Sequence, residues 1–115
     1  MIAVSDAVVL VTGGRRGLGS ALVDEVLARG ARKVYATARD PYTDSRDRVV
    51  AQQLEVSSDE SVTALAAVAT DVDIVINNAG ILLPGSLLTG VFSDIAATFD
   101  INAFGPLRVA RAFAP

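Results

Sequence analysis

Ala7-Val8-Val9-Leu10-Val11-Thr12-Gly13-Gly14-Arg15-Arg16-Gly17-Leu18-Gly19 runs from an unbroken apolar segment straight into a glycine-rich turn. An apolar run without polar alternation predicts a strand buried on both faces, as in the centre of a parallel sheet. Beyond the turn, Leu22, Val23, Val26 and Leu27 fall on one face of a helix that Gly30 can terminate. The glycines therefore join the carboxyl end of a strand to the amino end of a helix. Unpaired N–H groups and a partial positive charge face outward there, and glycine lets a pyrophosphate come close to the backbone. Two phosphate-binding spacings fail. A Walker loop begun at Gly14 reaches Gly19 but needs Lys where Ser20 stands, and G-x-G-x-x-G begun at Gly17 needs glycine where Leu22 stands. The spacing present is T-G-x-x-x-G-x-G, from Thr12 to Gly19.

Strand and helix patterns continue to alternate downstream. Lys33 to Ala38 predicts a second strand and Val49 to Leu54 a weaker third, joined by the polar segment Asp40 to Arg48, too short for a helix. Ser57 and Glu60 have the spacing of a capping box, and Val62, Leu65, Ala66 and Ala69 then repeat at helical intervals. Asp73 to Ile76 predicts a fourth strand, ending at Asn77-Asn78-Ala79-Gly80. Pro84, Gly85 and Gly90 make Ile81 to Gly90 a loop, and a last helix is expected from about Ser93 onward. With right-handed crossovers this order predicts an α/β protein with a face-covered parallel sheet. Strand four would be an exposed apolar edge.

Composition narrows the chemistry. The 115 residues are 51% hydrophobic and 20% charged, which excludes disorder and bounds the chain at one domain. Ten basic against 13 acidic residues give a net charge of −3, with no basic patch of the kind nucleic acid requires. There is no Cys and no His, so disulfides, thiolate or imidazole metal sites and Ser-His or Cys-His pairs are excluded and no metal is expected. Met1 to Asp6 has neither a basic n-region nor an apolar h-region, and no run reaches 18 apolar residues. A soluble, cytoplasmic protein with no membrane partner is the expectation.

Four segments in order carry a resemblance: Thr12 to Gly19, Leu54-Glu55-Val56, Asn77-Asn78-Ala79-Gly80 and Asn102-Ala103-Phe104-Gly105. Across essentially the whole chain the sequence resembles the short-chain dehydrogenase/reductase family. Arg16, where the extended epimerase-like branch has glycine, favours the simple single-domain branch. The resemblance implies a Rossmann-like, doubly wound parallel sheet. Residues 1–115, with about four strands and three helices, would be its NAD(P)-binding N-terminal half, truncated before the catalytic segment. Gly13, Arg15, Arg16, Gly17, Leu18 and Gly19 are then the cofactor turn. Glu55 stands where the family has Asp at the adenine amino group, with Val56 beside it. Asn78, Ala79 and Gly80 line the cofactor ribose, and Asn77 ties strands together.

Charge bears on which nicotinamide nucleotide is bound. NAD-binding folds of this type place a carboxylate on the ribose 2′-OH at the end of strand two. Here Thr37 supplies none, and Arg39, with Arg16 in the turn, suits a 2′-phosphate. NADP is expected over NAD, although Asp40 could reach a 2′-OH.

The family's tetrad is Asn-Ser-Tyr-Lys, in which a Lys four residues after the Tyr lowers the phenol pKa for acid catalysis. Only Asn102 has a counterpart here. Lys33 is the single lysine, and Tyr35 and Tyr42 are each followed at that spacing by Arg. Pro106 lacks an N–H, which frees the Asn102 carbonyl inside the last helix. The resemblance thus implies hydride transfer between a nicotinamide cofactor and a small carbonyl or alcohol substrate, with this chain inactive alone. It leaves open a homo-oligomer through the last helix. A stand-alone nucleotide-binding or sensing module and an inert remnant are the alternatives.

Overall fold

The computed structural model describes residues 3–81 and 89–114. Most of the expected Ile81–Gly90 loop, Leu82 and Leu83 included, lies outside the described residues, as do Met1 and Ile2 of the expected leaderless start. The elements are β1 (Val8–Val11), α1 (Gly17–Ala28), β2 (Lys33–Ala38), β3 (Val49–Gln53), α2 (Asp59–Val68), β4 (Ile74–Ile76), α3 (Phe92–Phe99) and α4 (Gly105–Phe113), with a π-helical turn over Asp100–Phe104. The strands form one parallel sheet in the order β3-β2-β1-β4.

All four residues of β1 are buried, so the uninterrupted apolar run is the centre of the sheet. Alternate side chains serve opposite faces. Val9 and Val11 join Val23 and Val26 of α1, Val34 and Ala36 in one layer. Val8 and Leu10 join Tyr35, Val62 and Leu65 of α2, and Val109 of α4 in the other. Burying such side chains contributes roughly 1.5–3 kcal/mol each.

Strand order also sets where a ligand can go. The chain steps outward from β1 to β2 to β3, then crosses back to lay β4 on the other flank of β1. A reversal of this kind opens a crevice beyond the carboxyl ends of β1 and β4. β4 is an edge of three half-exposed residues, as its sequence predicts. Phe92, Phe99 and Phe104 of the last helical stretch are also exposed.

Two local readings are corrected. The cap of α2 is Ser58, not Ser57: the Ser58 hydroxyl accepts from the Ser61 N–H, while the Ser57 hydroxyl donates to the Glu55 carboxylate. Glu60 therefore occupies the first turn without being the third residue past the cap. The last helix is interrupted by the π-helical turn just before Pro106, where the Gly105 N–H bonds the Asp100 carbonyl five residues back. Proline's missing N–H explains a break in the ordinary ladder at this place. Arg108 clasps the widened turn, donating to the Asp100 carbonyl and carboxylate and to the Val56 carbonyl. Gly105 lies so close to β3's exit that a Cβ there would sit 2.8 Å from Val56 Cγ2.

Candidate functional site

An open cleft of about 280 Å³ lies at the carboxyl ends of the strands. That is just below the range for ligand sites, which begins at roughly 300 Å³. Its floor is built from hydroxyls and backbone. Thr12, buried at the end of β1, accepts from the N–H groups of Asn78 and Ala79, both at 3.0 Å. Thr37, buried at the end of β2, accepts from the Gly13 N–H at 3.2 Å, and its carbonyl accepts from the Gly14 N–H at 2.9 Å. The Asn78 amide donates to the Gly13 carbonyl at 3.2 Å. The glycine turn is thus laced to β2 on one side and to the exit of β4 on the other. Every donor and acceptor in this lacing is inside hydrogen-bonding range.

Glycine is required at two of these positions. Gly13 has φ +66°, which side chains rarely adopt. At Gly19 a Cβ would lie 1.9 Å from the Gly13 carbonyl oxygen and 2.6 Å from the Asn78 amide nitrogen, so the first turn of α1 presses directly on the loop. The turn and Arg16, the residue preceding α1, thereby border the cleft, with the amino end of α1 next to them.

Of the residues expected at the site, Gly13, Arg15, Arg16, Thr37, Arg39, Glu55, Val56, Asn78, Ala79 and Gly80 come together around the cleft. Thr37 lines it with its hydroxyl already committed to Gly13. Gly17, Leu18 and Gly19 open α1 but do not line the cleft, and Leu18 is exposed. Asn102 does not line it either. Its amide instead brackets Ile81, accepting from the Ile81 N–H at 2.8 Å and donating to the Ile81 carbonyl at 2.7 Å, which fixes the π-helical turn to the cleft wall. The tie between strand ends expected of Asn77 is made by Asn78, whereas Asn77 is exposed.

Ala38, Leu54 and Ile101 also line the cleft and were not foreseen as its walls. They are apolar residues just at or beyond strand ends and in the π-helical turn. Position after a strand is the one signal that could have found them.

The electrostatics are lopsided. Arg15, Arg16 and Arg39 border the cleft, and Glu55 is the carboxylate lining it. The Glu55 carboxylate accepts from the Ser57 hydroxyl at 2.8 Å. Among the described residues Arg15, Arg16 and Arg39 form no ion pair, nor do Arg48 and Arg111 away from the cleft, whereas Arg29, Arg32, Lys33, Arg46 and Arg108 each do. A cleft bordered by three guanidiniums, with a helix amino terminus beside it, is suited to a multiply charged anion.

Neither tyrosine belongs to this chemistry. The Tyr35 hydroxyl donates to Asp71 at 2.7 Å toward the opposite end of the sheet, and the Tyr42 hydroxyl donates to the Ala36 carbonyl at 2.8 Å. Hydrogen bonds from Lys33 and then Tyr35 hold the Asp71 carboxyl below its ordinary value, and the bond to Asp71 raises the Lys33 ammonium above its own. Among the described residues no helix is long and apolar enough to cross a membrane.

Residues 7–115 match the family described as short chain dehydrogenase. A short chain dehydrogenase of Penicillium aethiopicum, gsfK, is 36% identical over 124 residues, covering 95% of this chain and 49% of that protein. The 3-beta-hydroxysteroid dehydrogenase of Comamonas testosteroni is 32% identical over 104 residues, covering 83% of this chain and 41% of its own length. The crystal structure of a short chain dehydrogenase from Burkholderia cenocepacia in complex with NADP superposes with a TM-score of 0.90 at 37% identity, over 99% of this chain and 49% of that one. An NADPH-bound carbonyl reductase from chicken fatty liver gives a TM-score of 0.88 at 29% identity, over 96% and 48%. The chain spans about half the length of the relatives it matches.

Proposed function

The chain belongs to the short chain dehydrogenase family, and from that membership we propose that residues 1–115 are the NADP-binding part of an oxidoreductase that transfers hydride between the nicotinamide and a small carbonyl or alcohol. The observation that carries this reading is the set of three guanidiniums, Arg15, Arg16 and Arg39, gathered at one cleft without carboxylate partners among the described residues. Like charges held together cost free energy unless a ligand neutralises them, and a 2′-phosphate does so. The donors present fit the whole nucleotide. The amino end of α1 suits the diphosphate, Arg16 and Arg39 with Arg15 beside them the 2′-phosphate, Glu55 and Val56 the adenine, and Asn78 to Gly80 the second ribose. The relatives solved with NADP and NADPH support the same choice over NAD.

When bound, the cofactor supplies or accepts the hydride. The chain's own residues orient it: Thr12, Thr37 and Asn78 hold the floor rigid, and Asn102 fixes Ile81 as part of the wall. Proton transfer to a developing alkoxide needs an acid within hydrogen-bond reach. Tyr35 and Tyr42 are engaged elsewhere, so the 115 residues bind cofactor and do not turn over by themselves. The cytoplasm, where such cofactors and small substrates meet, is the proposed compartment.

Titrating NADPH and NADH against the chain by fluorescence, followed by NADPH oxidation assays with ketones and aldehydes, tests the reading. Tighter binding of NADPH than NADH without turnover is expected. Equal affinity for the two nucleotides would defeat the 2′-phosphate assignment, and ketone-dependent oxidation would defeat the assignment of the chain as a binding part alone.

A further inference from the structure

The polar segment between β2 and β3 carries a residue that neither the sequence motifs nor the cleft lining singles out. Tyr42 folds back under the glycine turn. Its ring packs against the core layer shared with α1, and its hydroxyl donates to the Ala36 carbonyl of β2 at 2.8 Å. Burial pushes the phenol above its ordinary value. The ring is therefore fixed by packing on one side and by a hydrogen bond at its tip. Over it lies the Arg15 guanidinium, 5.4 Å from the ring centroid, within the range of a cation–π contact. Arg15 itself borders the cleft.

The surrounding charges explain why Arg15 rests on a ring rather than on an acid. Asp44, two residues past Tyr42, and Asp24 on α1 are both engaged by Arg46. The segment is further anchored by Arg48, which donates to the Ala31 carbonyl at 2.7 Å. An exposed arginine in a glycine-rich turn would otherwise sample many rotamers, and ordering it on binding would cost affinity.

Building on the NADP reading above, we infer that Tyr42 is a positioning residue for nucleotide selection: its ring is a platform that holds the Arg15 guanidinium at the cleft, ready for the 2′-phosphate. Tyr42 touches no part of the nucleotide. It acts through Arg15, and its effect falls on NADPH and spares NADH.

The test titrates NADPH and NADH against the full chain and against Tyr42→Leu, Tyr42→Phe and Arg15→Gln. Tyr42→Leu weakens NADPH about fivefold, the equivalent of about 1 kcal/mol, and leaves NADH unchanged. Tyr42→Phe keeps the ring and the preference for NADPH. Arg15→Gln reproduces the loss, and Tyr42→Leu adds nothing to it in the double variant. An NADPH preference that survives Tyr42→Leu overturns the inference alone, as do equal losses for both nucleotides, which would make the ring a packing element. Should Tyr42→Leu not fold, an undiminished preference in Arg15→Gln overturns it from the other side of the contact. A wild-type chain that binds neither nucleotide overturns the cofactor reading and takes the inference with it.

Discussion

At the amino-terminal end of the sheet the charged side chains have found one another. Lys33 and Tyr35 both donate to Asp71, the Asp73 carboxylate accepts from the Val8 N–H, and Arg32 lies 3.9 Å from Asp6. At the carboxyl end Arg15, Arg16 and Arg39 share a cleft with Glu55, and among the described residues none of the three has an ion-pair partner. The strands between are the same strands, so the contrast lies in the side chains placed at their two ends. On the proposed reading, what differs is what each end is for. Pairing half-exposed charges stabilises a protein by about 0–1 kcal/mol. Leaving like charges unpaired around a crevice is unfavourable in the free chain and useful only where an anion arrives.

Substitutions at the two ends should therefore separate stability from binding, and the largest effect should come where the two meet. Gly19→Ala places a Cβ against the Gly13 carbonyl, backbone against backbone, with no flexible side chain to yield. A loss of about 3 kcal/mol or more is expected, lowering Tm by on the order of 10 °C and abolishing NADPH binding. Calorimetry and nucleotide titration check both; a folded, binding Gly19→Ala chain would show that the turn is looser than this geometry.

Arg39→Asp should divide the two properties. Losing a charge-assisted phosphate contact costs about 1.5–3 kcal/mol of NADPH affinity, while Tm stays within about 1 °C because Arg39 is exposed. A fall in Tm with unchanged NADPH affinity would invert the comparison and make Arg39 structural.

The smallest effect belongs to the amino-terminal end. Asp71→Asn should cost about 0.5 kcal/mol of stability and leave nucleotide binding untouched, because the Lys33 and Asp71 side chains are 31% and 40% exposed and water screens the pair. Its pH dependence follows from the two shifts. The Asp71 carboxyl titrates below its ordinary 3.8, so its contribution is present above that pH and lost as pH falls through the lowered value. The Lys33 ammonium titrates above its ordinary 10.5, so its contribution is present below that pH and lost as pH rises through the raised value. The Tm difference between wild type and Asp71→Asn should hold across that interval and close at both extremes. A difference confined to one extreme would assign the effect to another group.

The strands were legible because burial on both faces leaves an unmistakable run, as Val8 to Val11 shows. The cap of α2 was not. Ser57 and Ser58 stand side by side with an acidic or polar residue three positions on, and spacing alone cannot choose between them. Tertiary context chooses: Glu55 takes the Ser57 hydroxyl and leaves Ser58 to the helix. In the cleft, residues that carry charge or glycine geometry could be read in advance. Ala38, Leu54 and Ile101 could not, since an apolar wall has the same composition as a core. The same holds for Asn77 and Asn78, identical neighbours that the turn after β4 points in different directions. Pro106 did announce a break in the last helix, though not that the backbone would bridge it by a five-residue turn.

The hydroxyl of Thr12 has a consequence in time. It closes the cleft floor by receiving N–H groups 66 and 67 residues farther along the chain, whereas β1, β2 and β3 pair between neighbouring segments. Contacts between distant segments form late, because the intervening chain must be ordered or its closure entropy overcome. The glycine turn can thus settle on Thr37 early in folding and still lack its floor. On the proposed reading a nucleotide would engage the cleft only after β4 has docked, and would so act as a latch on the final step. Amide exchange at Asn78 and Ala79, slowed by bound NADPH while the amides of β2 are already protected without it, would display that order of assembly directly.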